Sequence, residues 1–294
     1  MVIDEDDDLS GFETRALGAE GMRFDYLESV TGVEPVILMH ELPSITPQVM
    51  YFARVIAAAG FRVYLPSFLG RPGRVPNLGD QAMSAGAACV RSEFAALARG
   101  DKTRKAVRWV RALAREAAGG RPGTVGVIGL CLTGGFALAA AVDPVVGAAM
   151  ACEPSLPLKQ EAGIDLSPAD QAALRARLEA EAVGALVYRF EGDTLSPCAR
   201  LRRYGQVLGP GLRSRCLPDS AADPAYRSGY DHHSVMTNHL VEGPDSLTRA
   251  ARDELVAVLV WRLRGGPRPE SWAAATDCLR SGCAVRARAA AAAV

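Results

Sequence analysis

The amino-acid sequence predicts an α/β domain with a mostly parallel central sheet and helices on both faces. Two observations predict it. Short, continuous apolar runs such as Pro35–Met39 (PVILM) and Val125–Gly129 (VGVIG) recur along the chain, as expected of strands buried on both faces. Helix-like stretches separate these runs, and strand–helix alternation builds a parallel sheet. A third observation sets the scale. The chain has 294 residues, 49% of them hydrophobic and 22% charged, with 33 basic and 33 acidic side chains. That is a globular composition, long enough to bury a full core.

The elements follow in order. Residues 1–20, opening on Asp4-Glu5-Asp6-Asp7-Asp8, read as an acidic lead-in. Met22–Leu27 is expected to be the first edge strand, and Pro35–Met39 a buried one. Thr46–Ala59 reads as a helix, with Ser44 or Thr46 as its cap and Gly60 as its stop. Phe61–Leu65 is the next strand, and Gly70–Gly79 a loop rich in Pro, Gly and Arg. Gln81–Leu97 and Asp101–Ala117 read as helices, Val125–Gly129 as a strand, Thr133–Ala141 as a helix and Val145–Ala151 as a strand. Ser167 opens a charged helix to about Ala182; Ala185–Phe190 is a strand, Arg200–Val207 a helix and Leu212–Leu217 the last strand. Asp245–Arg264 is a long amphipathic helix stopped by Gly265-Gly266-Pro267. The domain is thus expected over 21–267, and the Ala-rich tail 268–294 is expected to be poorly ordered at its end.

Several function classes are set aside at once. Zero net charge without a basic stripe argues against nucleic-acid binding. The uncharged stretch Thr124–Val142 is interrupted by Gly134-Gly135 and stopped by Asp143-Pro144, so it reads as strand, turn and buried helix, not a membrane span. Seven cysteines, at 89, 131, 152, 198, 216, 278 and 283, form no C-x-x-C pair. An odd, scattered set is read as free thiols in a reducing cytosol. The acidic N-terminus has no signal-peptide pattern, so a cytoplasmic protein is expected.

The segment Gly129-Leu130-Cys131-Leu132-Thr133-Gly134-Gly135 follows one apolar strand and opens a helix. This is the setting of a nucleophile elbow, a tight turn that presents one side chain at the edge of the sheet. Cys131 at a helix N-terminus favours thiolate, and the Leu132 N–H supplies half of an oxyanion hole. The bland alternative is a buried inert thiol beside glycines kept for close packing. The elbow also departs from its usual form, because Thr133 stands where Gly is expected two residues after the nucleophile.

A nucleophilic Cys needs a base, and the base an orienting acid. Three of the four histidines lie in Asp231-His232-His233-Ser234-Val235-Met236-Thr237-Asn238-His239, after the last strand. The turn Glu191-Gly192-Asp193 follows the strand ALVYRF. Cys131, Asp193, His233 is the chain order nucleophile, acid, base of the α/β-hydrolase fold. His40-Glu41-Leu42-Pro43 follows PVILM, where this fold takes the second oxyanion donor, here the Leu42 N–H. A metal site from Asp231, His232, His233 and His239 lacks the H-E-x-x-H pattern, and no metal is expected.

The Cys elbow, the Glu after the first core strand, the Gly-Asp turn and the His-Ser before the last helix together resemble the dienelactone hydrolase family, over about Glu34 to Arg264. The resemblance implies Cys131 as nucleophile, Asp193 as triad acid and His233 as base. It implies that Glu41 pairs with the resting thiol and releases it on substrate binding. It implies hydrolysis of an ester or lactone without metal or cofactor, with arginines on the substrate carboxylate. Arg91 is the candidate for that clamp; otherwise it is a solvated helix residue. The expected partner is a small molecule, with no nucleic acid or membrane, and the protein a monomer or homodimer. The rival readings are a glutamine amidotransferase, a non-catalytic binding module on the same fold, and a thiol redox protein using Cys152.

Overall fold

The computed structural model describes residues 3–97, 99–226 and 232–274. Eight strands form one sheet in the order β1-β2-β4-β3-β5-β6-β7-β8. β1 (Phe12–Ala19) and β2 (Met22–Ser29) are antiparallel, as are β2 and β4 (Arg62–Pro66). From β4 onward all pairings are parallel, through β3 (Pro35–Met39), β5 (Val125–Leu130), β6 (Val146–Cys152), β7 (Gly184–Phe190) and β8 (Leu212–Leu217). The α/β-hydrolase fold read from the sequence is the observed one.

Strand alternation sorts the core into two layers. Ile37 and Met39 join one cluster with Trp109, Phe136, Leu174 and Leu201. Val36 and Leu38 join the other with Phe52, Leu255 and Leu259. The first layer is roofed by α3 (Lys105–Ala118), α4 (Gly134–Ala140), α5 (Pro168–Glu179) and α6 (Cys198–Leu208). The second is covered by α1 (Pro47–Ala58) and α7 (Leu247–Arg264). α2 (Leu78–Val90) buries only Ser84 and Ala88, and α8 (Ser271–Ala274) is a single turn. Caps set the helix starts: Thr46 and Ser246 accept N–H bonds from residues 49 and 249.

Two expectations are corrected. Residues 12–19 are not a lead-in. They form β1, which pairs along its whole length with β2 and is the true edge of the sheet. Glu20-Gly21 turns the hairpin with both residues at positive φ, the requirement of a two-residue turn. The seven cysteines are not all free thiols. Cys89, Cys131 and Cys152 are free, whereas Cys198 and Cys216 are disulfide-bonded. The expectation for the Ala-rich end beyond residue 274 and that for Asp231 lie outside the described residues. Among the described residues no helix is long and apolar enough to cross a membrane.

Candidate active site

The elbow is built by steric exclusion. Cys131 leaves β5 at φ +49°, in the left-handed region, and opens a short 3-10 turn, Cys131–Thr133, that runs into α4. A non-glycine residue there is strained and persists only where its surroundings enforce it. A Cβ on Gly129 would stand 2.1 Å from the Thr133 carbonyl oxygen, and one on Gly134 would stand 2.7 Å from Pro154 Cα. Both glycines are therefore needed for the turn to close. Thr133 replaces the usual glycine with a clasp. Its hydroxyl accepts from Leu130 N at 3.0 Å and lies within hydrogen-bond distance of the Met39 and His40 carbonyls, tying the elbow to the end of β3. Cys131 itself is 8% exposed, and its Sγ lies 3.4 Å from Ser155 Oγ.

The acid is set by a turn of its own. Asp193 Oδ1 accepts from Leu195 N at 2.9 Å and Ser196 N at 3.0 Å, which leaves Oδ2 for His233 Nδ1 at 2.8 Å. His233 Nε2 is buried, and among the described residues Cys131 is the side chain it meets. Burial opposes the imidazolium, but the charges of Cys131 and Asp193 outweigh it and hold His233 well above its ordinary range. His239 seats the loop. Its Nδ1 accepts from the N–H groups of His233 and Ser234, at 3.3 and 3.1 Å. That ring must be neutral to accept them, and burial lowers its pKa to about 4.

Glu41 is where the structure departs from expectation. It is buried, but its carboxylate does not bond the thiol. It accepts from Ser234 Oγ at 2.5 Å, from the Thr237 hydroxyl and from Asn238 Nδ2 at 3.4 Å. These donors lie on the His233 loop and saturate the carboxylate, so Glu41 braces that loop to the β3 end. Burial raises its carboxyl, with the two hydroxyls and His233 pulling the other way. His40 ties the β3 end to the segment after β4. Phe68 N donates to Nε2 at 3.2 Å, so Nδ1 carries the proton and donates to the Glu41 carbonyl at 2.6 Å. Leu42, the second expected oxyanion donor, follows at once and precedes a cis Pro43. Leu132 lies in the first turn after the elbow, where helix-start N–H groups have no partner within the helix.

Arg91 is not in a helix. It is the C-cap of α2, and its guanidinium donates to the Phe68 carbonyl and sits over the rings of Phe24 and Phe94. No hydrogen bond or ion pair joins it to Cys131, His233 or Asp193 among the described residues. Among the described residues no group of three or more His, Cys, Asp and Glu side chains is placed to hold a metal ion.

Three site residues escaped the sequence reading. Glu153 follows β6 and is fully buried beside the site. Its only signal was its place, a lone acid just past an apolar run. Ser155 faces the thiol. Arg200, buried on α6, spends all five N–H donors on backbone carbonyls: Gly163, Pro154, Leu195, Pro157 and Gln160, at 2.7 to 3.0 Å. It joins the loop after β6 to the Asp193 turn.

The model of the dienelactone hydrolase family matches residues 26–172, half of the chain. The chain belongs to the dienelactone hydrolase family. The match covers the elbow and Glu41 but stops short of Asp193 and His233, whose pairing rests on the geometry above. Solved structures show the same fold. The dienelactone hydrolase of Anabaena variabilis is 16% identical with a TM-score of 0.54, over 86% of this chain and 100% of that one. A dienelactone hydrolase-like promiscuous phosphotriesterase from metagenomic libraries is 14% identical with a TM-score of 0.54, over 86% of this chain and 99% of that one. No curated protein sequence matches the chain.

Proposed function

We propose that this family member hydrolyses a carboxylic ester or lactone of a small molecule through a Cys131–His233–Asp193 triad. The observation that carries the reading is the His233–Asp193 bond. It fixes Nδ1 as the donor and leaves a buried Nε2 for Cys131. That is the arrangement of a base oriented by an acid toward a nucleophile.

In this mechanism the Cys131 thiolate adds to the carbonyl carbon, and the N–H groups of Leu132 and Leu42 hold the oxyanion. The C–O bond then breaks, and His233 gives its Nε2 proton to the departing alkoxide. A thioester remains. Neutral His233 next takes a proton from water, hydroxide adds to the thioester, and Cys131 leaves as thiolate. No metal or cofactor takes part in these steps.

The test is turnover of simple esters and dienelactones by the protein beside Cys131→Ala. The proposal expects hydrolysis that vanishes in the variant, together with a thioester intermediate visible by mass spectrometry after rapid quenching. Hydrolysis that survives in Cys131→Ala removes the thiol from the mechanism.

A further inference from the structure

The hydrolytic steps above make no use of Glu153, a buried acid beside the elbow. Leu130, Cys152 and Tyr188 stand in register across β5, β6 and β7. Cys131 and Glu153 are therefore the first residues beyond two neighbouring strand ends. Both leave their strands at positive φ, +49° and +39°. Glu153 is pinned by its own N–H, which donates to the Tyr188 carbonyl at 2.7 Å, and the corner is closed by Ser155 N donating to the Cys131 carbonyl at 3.1 Å. The Glu153 side chain is 0% exposed. Its Oε2 accepts from Val235 N at 3.4 Å, two residues past His233, and its Oε1 has no partner among the described residues.

The charges around it decide its state. Glu41 reaches it from the end of β3, Cys131 from the elbow and Asp193 from the end of β7, all acids; Cys152 precedes it on β6; among the described residues His233 is the base that bears on it. Arg200 is drawn to Asp193 and Cys131, and Arg189 to Asp193, whereas His233 is the cation that bears on Glu153, so among these buried acids the proton stays where ionisation is least supported. Asp193 accepts three N–H donors and Glu41 two hydroxyls and an amide, whereas Glu153 accepts one long N–H bond. Burial, reinforced by Glu41, Asp193 and Cys131 and opposed by His233, holds the Glu153 carboxyl well above the ordinary range.

We propose that Glu153 is a positioning residue of this reaction acting through His233: its carboxyl stays neutral in the working site, and its ionisation as pH rises over-stabilises the imidazolium and withholds the proton from the leaving alkoxide. The inference rests on the hydrolase reading for its consequence, but its physical content is the coupling between Glu153 and His233. Glutamine is close to a protonated glutamate in shape and keeps an acceptor for Val235 N.

The experiment follows the His233 Nδ1–H proton by NMR through a pH titration, with kcat measured over the same range. In the native protein the resonance should inflect at a pH above the ordinary carboxylate range, and kcat should fall across the same interval. In Glu153→Gln both the inflection and the accompanying fall in kcat should vanish. Glu153→Asp, which keeps an acid, should restore an inflection. An inflection that persists unchanged in Glu153→Gln, or its absence from the native protein, overturns the proposal. Absence of ester turnover would instead sink the hydrolase reading, and the resonance would still decide the coupling.

Discussion

Two buried polar regions meet the elbow, and they are matched to different degrees. In the first, Arg200 and Asp193 are satisfied: five N–H groups reach five carbonyls, and the carboxylate takes two backbone N–H groups and an imidazole. In the second, behind α4, Arg104 and Asp165 form a buried pair at 2.7 Å, yet among the described residues Arg104 Nη1 and Nη2 and Asp165 Oδ2 have no partner. The residue types are similar, but the donor and acceptor counts are not. Where counts match, the charge is fixed by geometry; where they do not, burial moves the proton. Asp165 is accordingly pushed up to about 6 by burial, against the pull of Arg104 and Arg200.

The largest effect should come from breaking the matched region at the acid. Asp193→Asn is isosteric but reverses the hydrogen-bond polarity toward His233 and turns the imidazole to the wrong tautomer. Loss of the aspartate from such triads lowers kcat by about 10^4-fold, and a fall of about 10^3 to 10^4 is expected here with KM little changed. Steady-state kinetics on an ester substrate check it. A fall under about tenfold would mean that the Cys131–His233 pair holds its own orientation.

Arg200→Met tests the same region for stability. Five carbonyls lose their donors, and methionine fills only the stem of the cavity. Leaving a buried acceptor without its donor costs about 1–3 kcal/mol, so with five carbonyls affected chemical denaturation should show a loss of at least about 3 kcal/mol. Since Arg200 joins the loop after β6 to the Asp193 turn, kcat should fall as well. A loss under about 1 kcal/mol would show that these loops hold without their arginine.

The legibility of the molecule in its sequence follows the same division between local and distant partners. Pro35–Met39 is legible to the residue, because a strand buried on both faces writes an unbroken apolar run. Cys131, Asp193 and His233 are legible because each sits just past a strand or before the last helix. β1 is not, because an edge strand with most residues exposed carries no apolar run; Glu20-Gly21 was its one local mark. The partners of Glu41 are also illegible. Ser234 and Thr237 lie 193 and 196 residues away, and no spacing rule reaches across that distance. Glu153 failed for another reason: a single acid after a strand is common, and only the count of surrounding anions marks it.

The mismatched region offers the smallest effect and the sharpest sign. Asp165 has its folded pKa raised from 3.8 to about 6. Its contribution to stability is therefore fully present below about 3.8 and is lost as pH rises through about 6. His40 and His239 act in the opposite sense over the same interval. Burial lowers each from 6.5 to about 4, so their contribution is present above 6.5 and lost as pH falls through about 4. The native stability curve alone mixes these terms. Subtracting the curve of Asp165→Asn cancels the histidines and leaves the aspartate. Measured by denaturation from about pH 4 to about pH 7, that difference should fall with rising pH by at most about 3 kcal/mol and level off above about pH 6. A difference that rises with pH instead would show that the attraction of Arg104 outweighs burial, and that the unmatched pair holds its charge as firmly as the matched one.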